Sequence, residues 1–300
     1  MLQENIVETE GRKFRYLQRK GDGTTLLFLH GLSDSADQFS PIAAHLPEEW
    51  HLLAFDQRGH GGSWKPEKGY SPLDYSQDIK NFIDAVGINS LHIFGHSMGG
   101  RNALLFSTKF PRQIQSLILG DIGPDKNLED IKATIDFFNS LPTSFNTEEE
   151  ARSHLQKRKP GYSDKNLEIL MKNLEKQDNG TLVWRYSKDA CIQSVTESRS
   201  REWWEYLPEV KCPVLLLHVE GSSELSDDVA KRMVVETPNI PECCVDCAWT
   251  PSSTFQFGLV IFFKPFYGIL NMKIYIFSFY IIIPAPQMIF VKMMSILFCG

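Results

Sequence analysis

Three hundred residues, 42% hydrophobic and 23% charged, suffice to bury one large core and do not demand a second domain. Lys and Arg number 31 against 37 Asp and Glu, and the resulting formal charge of −6 disfavours nucleic acid or an anionic membrane as partner. Six cysteines (191, 212, 243, 244, 247 and 299) lack framework spacing, which points to a reducing, cytoplasmic compartment; MLQENIVETEGRK shows neither a signal core nor a transit pattern.

In chain order, KFRYLQRKGDGTTLLFLHG reads as two strands joined by a Gly-Asp-Gly turn, the second ending at His30-Gly31. DSADQFSPIAAHLPEEW has helical spacing, with Ser35 or Asp34 available as N-cap. HLLAFDQRGHG is a short apolar run ending in glycines, and SPLDYSQDIKNFIDAVG follows as an amphipathic helix. Then come the strand LHIFG, the helix GGRNALLFSTKF and the strand IQSLILGDIGP. Short apolar strands alternating with helices imply a mostly parallel sheet covered on both faces, an α/β fold.

Between Asp125 and about Pro208 the strand rhythm stops. NLEDIKATIDFFNSL, TEEEARSHLQKR and SDKNLEILMKNLEKQ read as helices, with REWWEYL as a possible fourth, so a helical cap over the sheet's C-terminal edge is expected. The sheet resumes at CPVLLLHVEG, followed by the helix SELSDDVAKRMVVET. The expected division is a core of residues 1–124 and 209–237, a cap of 125–208, and an atypical apolar tail of 238–300. From Cys247 to Gly300 there is no Asp, Glu, Arg or His, and only Lys264, Lys273 and Lys292 are charged. Ile274 to Val291 is long enough for a minimal membrane span, but Pro284, Pro286 and Gln287 break it, and membrane association is not the expected use. CCVDC at 243–247 holds one C-x-x-C pair with no second pair, so neither a metal nor a cofactor is expected.

The chemistry concentrates around LHIFGHSMGGRNALLF, where Gly95, Ser97 and Gly99 form G-x-S-x-G between a strand and a helix. A serine hydroxyl needs a base to become a nucleophile, and a sharp strand-to-helix turn lifts it clear of the backbone. The helix that follows aims its first N–H groups at the same place. Backbone N–H groups of Met98 and Leu32 are the expected oxyanion hole, Leu32 because it follows the strand end His30-Gly31.

FLHGL, FDQRGHGGS, GHSMGG and LILGDIGP together resemble the α/β-hydrolase superfamily, in the same order, from about Phe14 to Thr237. DIGP followed by a helical cap is similar to its small esterase-like members. The resemblance implies a serine hydrolase that acts on an ester or related acyl compound, with an acid and a histidine following Ser97 in the chain. Asp121, 24 residues past Ser97, is the preferred acid. HVEGSSELSDD has Ser222 where an Asp is expected, which leaves Glu220 or Glu224 as alternatives; Asp227 and Asp228 read as helix N-terminal charges.

The histidine is missing from its expected place. After Ser97 only His154 and His218 remain; His154 reads as part of a solvated cap helix and His218 as a strand-end residue. His30, His60 and His96 belong to the upstream motifs, His30 shaping the oxyanion loop. The gap coincides with the break near residue 240, and a C-terminus replaced by an alternative exon, a read-through or a frameshift accounts for both. Two functions are therefore expected. One is a serine hydrolase of impaired turnover, with Trp203 and Trp204 lining an acyl pocket or anchoring the cap. The alternative is a non-catalytic α/β-hydrolase-like binding protein or aberrant isoform. The sequence does not indicate an oligomeric state.

Overall fold

The computed structural model describes residues 2–218, Ser222, residues 224–237 and the backbone of Val260 and Ile261. Glu220, the CCVDC stretch and the apolar run from Ile274 lie outside the described residues. The chain opens with β1 (Gln3–Thr9) and β2 (Arg12–Arg19), an antiparallel hairpin. Glu10 and Gly11 turn it with φ of 50° and 71°, the left-handed pair that a two-residue hairpin requires. Then follow β3 (Thr25–Leu29), a 3-10 turn (Ala36–Phe39), α1 (Ser40–Ala43) and β4 (His51–Phe55). Next come α2 (Pro72–Ala85), β5 (Leu91–His96), α3 (Met98–Lys109) and β6 (Ile114–Gly120).

Strand order is β1-β2-β4-β3-β5-β6, continued by β10 (Val214–His218) and β11 (Val260–Ile261) once the inserted segment has been traversed. The pairs from β4 through β10 are parallel; β1–β2, β2–β4 and β10–β11 are antiparallel. The Gly-Asp-Gly turn is therefore no hairpin: β2 and β3 do not pair, because β4 lies between them.

Alternation along the strands sends side chains to two cores, one on each face. Leu27 and Leu29 of β3 join Ile79, Phe82 and Ile83 of α2 and Leu104 and Phe106 of α3 on one face. Leu26 and Phe28 meet Ala36, Phe39, Ile42 and Ala43 on the other. Neither Ser35 nor Asp34 caps the short helical stretch there. The Asp56 carboxylate at the end of β4 accepts the Ala36 N–H at 2.7 Å instead, and the Ser35 hydroxyl donates to Asn173 at 2.9 Å.

The insertion is not purely helical. It runs α4 (Leu128–Ser140), β7 (Ser144–Phe145), α5 (Glu148–Arg158), α6 (Asp164–Met171), β8 (Leu174–Lys176), β9 (Leu182–Trp184) and α7 (Lys188–Arg199). The three short strands form their own antiparallel sheet in the order β7-β9-β8, packed with Leu155 and Leu167. REWWEYL gives a 3-10 turn over Trp204–Glu209 rather than an α-helix. After β10, α8 (Asp227–Glu236) packs Ala230 and Met233 into the main core.

Candidate active site

Ser97 stands between the last residue of β5 and the first of α3, with φ 48° and ψ −117°. A non-glycine residue in that region is strained by roughly 1–3 kcal/mol. What holds it there is glycine on both sides. A Cβ on Gly95 would lie 2.5 Å from the Gly99 carbonyl oxygen, and one on Gly99 would lie 2.3 Å from that of Leu29. Helix α3 thus starts tight against the ends of β3 and β5. Its N-cap residue spends no side-chain hydrogen bond on the helix, so the Ser97 hydroxyl is not committed to capping. Met98 N–H is the helix's first, and such a group has no partner within the helix.

The loop that carries Leu32 begins at Gly31, beside Ser97. Asp34 N–H donates to Gly31 O at 3.3 Å, closing a turn over Leu32 and Ser33, whose φ is 62°. Gly31 allows the close approach: a Cβ there would lie 2.9 Å from His96 Nδ1 and 3.5 Å from Ser97 Cβ. Met98 is buried with Tyr70, Tyr75 and Ala190, and Leu32 packs against both this group and Phe138, Leu141, Tyr186 and Cys191. Side chains of the insertion therefore pack against those of Leu32 and Met98.

Two histidines fix this loop from below. His30 sets Nδ1 against Gly31 O at 2.8 Å, while its Nε2 faces the Gln57 N–H at 2.9 Å. His60 sets Nδ1 against Arg58 O at 2.9 Å, and its Nε2 faces the Ser33 N–H at 3.2 Å. Gln57 in turn donates to His30 O and accepts from Asn102 of α3. Burial pushes His30 down to about 4 and His60 to about 3, so both rings are neutral at physiological pH. Gln57 and Asn102 were not singled out by sequence reasoning; an amide has no pattern that marks it before the fold brings it to its partner.

Asp121 begins immediately after β6, at φ 51°. It is buried, and its Oδ2 accepts the Ser222 hydroxyl at 2.9 Å. Ser222 also accepts the Glu224 N–H at 3.0 Å, so the position where an acid was expected instead holds a donor aimed at Asp121. Burial pushes the Asp121 carboxyl up to about 7; Glu224 adds to the rise, while Ser222, Arg101 and Arg199 oppose it. Glu224 itself is occupied by Arg199 of α7 and Arg101 of α3. Burial works against its charge, but the two guanidinium groups outweigh it and hold its carboxyl below the ordinary value. Glu224 therefore belongs to an ion-pair network, while Asp121 follows Gly120, whose carbonyl accepts the Ser97 N–H at 3.0 Å.

The two downstream histidines do not join this group. His218 sets Nε2 against Leu225 O at 3.0 Å and stands 3.3 Å from Asp227. His154 packs its ring against Phe145 and Trp184 within the insertion. Trp203 and Trp204 turn out to be anchors: Trp203 N–H donates to Pro124 O, and Trp204 sits in the main core with its indole N–H on Asp125 at 2.7 Å. Among the described residues no cluster of His, Cys, Asp and Glu could hold a metal ion, and no helix is long and apolar enough to cross a membrane.

The sequence profile of the α/β hydrolase fold matches residues 24–219. A 2-(acetamidomethylene)succinate hydrolase from Mesorhizobium japonicum is 29% identical over 231 residues, covering 77% of this chain and 83% of that protein. The sn-1-specific diacylglycerol lipase ABHD11 of Danio rerio is 25% identical over 252 residues, 78% of this chain and 74% of the lipase. The crystal structure of E-2-(acetamidomethylene)succinate hydrolase superposes with a TM-score of 0.74 at 26% identity, covering 80% of this chain and 89% of its own. A profile that spans the sheet from β3 to β10, together with this likeness of fold, places the chain in the α/β hydrolase fold family.

Proposed function

We propose that this chain is a serine hydrolase acting on a small ester or related acyl compound, with Ser97 as nucleophile. The observation that carries the reading is the strained Ser97 itself, held at φ 48° between β5 and α3 with an uncommitted hydroxyl. Strain of that kind persists only where the surroundings over-determine it, and it gathers at sites of chemistry. In the proposed step the Ser97 oxygen attacks the carbonyl carbon, and the N–H groups of Met98 and Leu32 receive the oxyanion. Relatives named for hydrolysis of 2-(acetamidomethylene)succinate and of diacylglycerol support a small acyl substrate over a macromolecular one.

Turnover is expected to be low. None of the histidines described above shares a hydrogen bond with Ser97 or Asp121. Serine hydrolases deprived of a triad member keep only about 10³–10⁴-fold acceleration over water. That same observation favours a second reading, a non-catalytic binding protein on the same fold. A fluorophosphonate probe separates the two. Slow labelling that Ser97→Ala abolishes supports the hydrolase; a folded protein that takes no label supports the binding protein.

A further inference from the structure

The hydrolase reading leaves Ser97 without a base, and the inference that follows rests on that reading. Strands β5 and β6 are parallel with His96 opposite Gly120, so Ser97 and Asp121 are the next pair as both strands leave the sheet. Ser97 N–H donates to Gly120 O at 3.0 Å, which locks that register. Adjacent strands run about 4.8 Å apart. Both residues take left-handed φ, 48° and 51°, so two strained polar residues stand side by side at one edge. Asp121 Oδ2 is fixed by Ser222, while its Oδ1 is buried and has no hydrogen-bond partner among the described residues. A buried carboxylate oxygen without a donor is costly, which is a reason to ask what it serves.

We propose that Asp121 is itself the base for Ser97: Oδ1 takes the serine proton directly as the Ser97 side chain turns toward it, and Ser222 is the positioning residue that holds the other oxygen. As the Ser97 oxygen bonds to the acyl carbon, its proton passes to the Asp121 carboxylate. Collapse of the tetrahedral intermediate breaks the bond to the leaving oxygen, which takes the proton and departs as an alcohol. In deacylation a water molecule attacks the acyl carbon and gives its proton to Asp121. The acid then leaves as Ser97 recovers the proton. One ester and one water yield one acid and one alcohol.

The groups facing Asp121 are Ser222 and Glu224 ahead of α8, Arg101 from α3 and Arg199 from α7, with Asp130 of α4 paired to Arg199. Burial raises the carboxyl to about 7, where a base is both substantially ionised and basic enough to work. His96 is the competing imidazole: its Nδ1 is also buried and unpartnered among the described residues, but burial depresses it to about 4 and its ring lies against Gly31.

The test is the pH dependence of the Ser97 labelling rate by a fluorophosphonate, measured on the full chain. The expected profile rises with pH to a midpoint near 7. Ser222→Ala removes a donor to the ionised form and shifts the midpoint up; Ser222→Thr retains the hydroxyl and leaves it in place. Glu224→Gln removes a neighbouring negative charge and shifts it down. Asp121→Asn lowers the rate at least about 100-fold and flattens the profile, with folding checked by circular dichroism. A midpoint that ignores both Ser222→Ala and Glu224→Gln, or one that moves with His96→Gln, overturns the assignment. So does saturable activation of the unaltered chain by free imidazole, which would mark an unfilled base. If Ser97→Ala leaves labelling unchanged, the hydrolase reading itself fails; if it abolishes labelling while the midpoint stays fixed, only the base assignment does.

Discussion

At the scale of single residues, His30 and His60 each engage both ring nitrogens with backbone groups. A carbonyl only accepts and a backbone N–H only donates. His30, between Gly31 O and Gln57 N–H, must therefore carry its proton on Nδ1 and leave Nε2 bare. His60, between Arg58 O and Ser33 N–H, is fixed in the same tautomer. Protonation would set an Nε2–H against a backbone donor, which compounds the burial that already depresses both rings. Nitrogen-15 spectra of histidine-labelled protein are expected to show one Nδ1–H tautomer at each ring from pH 8 to 5. A protonation midpoint above 6 at either ring would contradict this account. The sequence assigned His30 to the shaping of its loop, but the partner on each nitrogen depends on how β3, β4 and the turn after β4 meet.

At the scale of elements, what was legible depended on whether hydrophobicity or shape was the ordering force. β3, β4, β5, β6 and β10 were readable because each is a nearly continuous apolar run buried on both faces. Strand β1, QENIVET, is half exposed and mostly polar, so it gave no such signal. Helix α7 was missed for another reason: its buried residues, Ala190, Cys191, Ser194, Val195, Ser198 and Arg199, mix small apolar side chains with serines and an arginine and give no strong apolar stripe. Size also governs the junction of β5 and α3, and here it can be tested. A methyl at Gly99 meets backbone atoms, 2.3 Å from Leu29 O and 2.7 Å from His30 O, so β3 itself would have to move. At Gly100 the approach is less close, Ile122 Cγ2 at 2.7 Å and Gly95 O at 3.0 Å, so less has to move. Gly99→Ala is expected to cost about 3 kcal/mol or more and Gly100→Ala about 1 kcal/mol, read from urea midpoints. Equal losses would show that α3 does not start as tightly against β3 as the close approach implies.

At the scale of the whole molecule, buried histidines and buried aspartates act on acid stability in opposite directions. His30 and His96 are depressed to about 4 and His60 to about 3, from an ordinary 6.5. The unfolded chain therefore binds these protons first, and their contribution is present above pH 6.5 and lost as pH falls toward 4. Asp34 and Asp121 are raised to about 7 from 3.8, chiefly by burial. Here the folded chain binds the proton first, so their contribution is full below 3.8 and lost as pH rises through 7. Between 6.5 and 4, these three histidines destabilise and these two aspartates stabilise as pH falls, so within this set of five the two classes largely cancel. Asp34 is the compensator that can be removed cleanly. It ties the loop after β3 to the insertion by accepting from Asn173 Nδ2 at 3.1 Å, and an asparagine oxygen can accept the same bond. Asp34→Asn should therefore keep that contact while deleting the titration. Urea midpoints at pH 6.5 and 5.0 are expected to show the variant losing about 2 kcal/mol more than the unaltered chain over that step. Losses that match would return Asp34 to the ordinary carboxylate range and leave the three histidines without the opposition assigned to them.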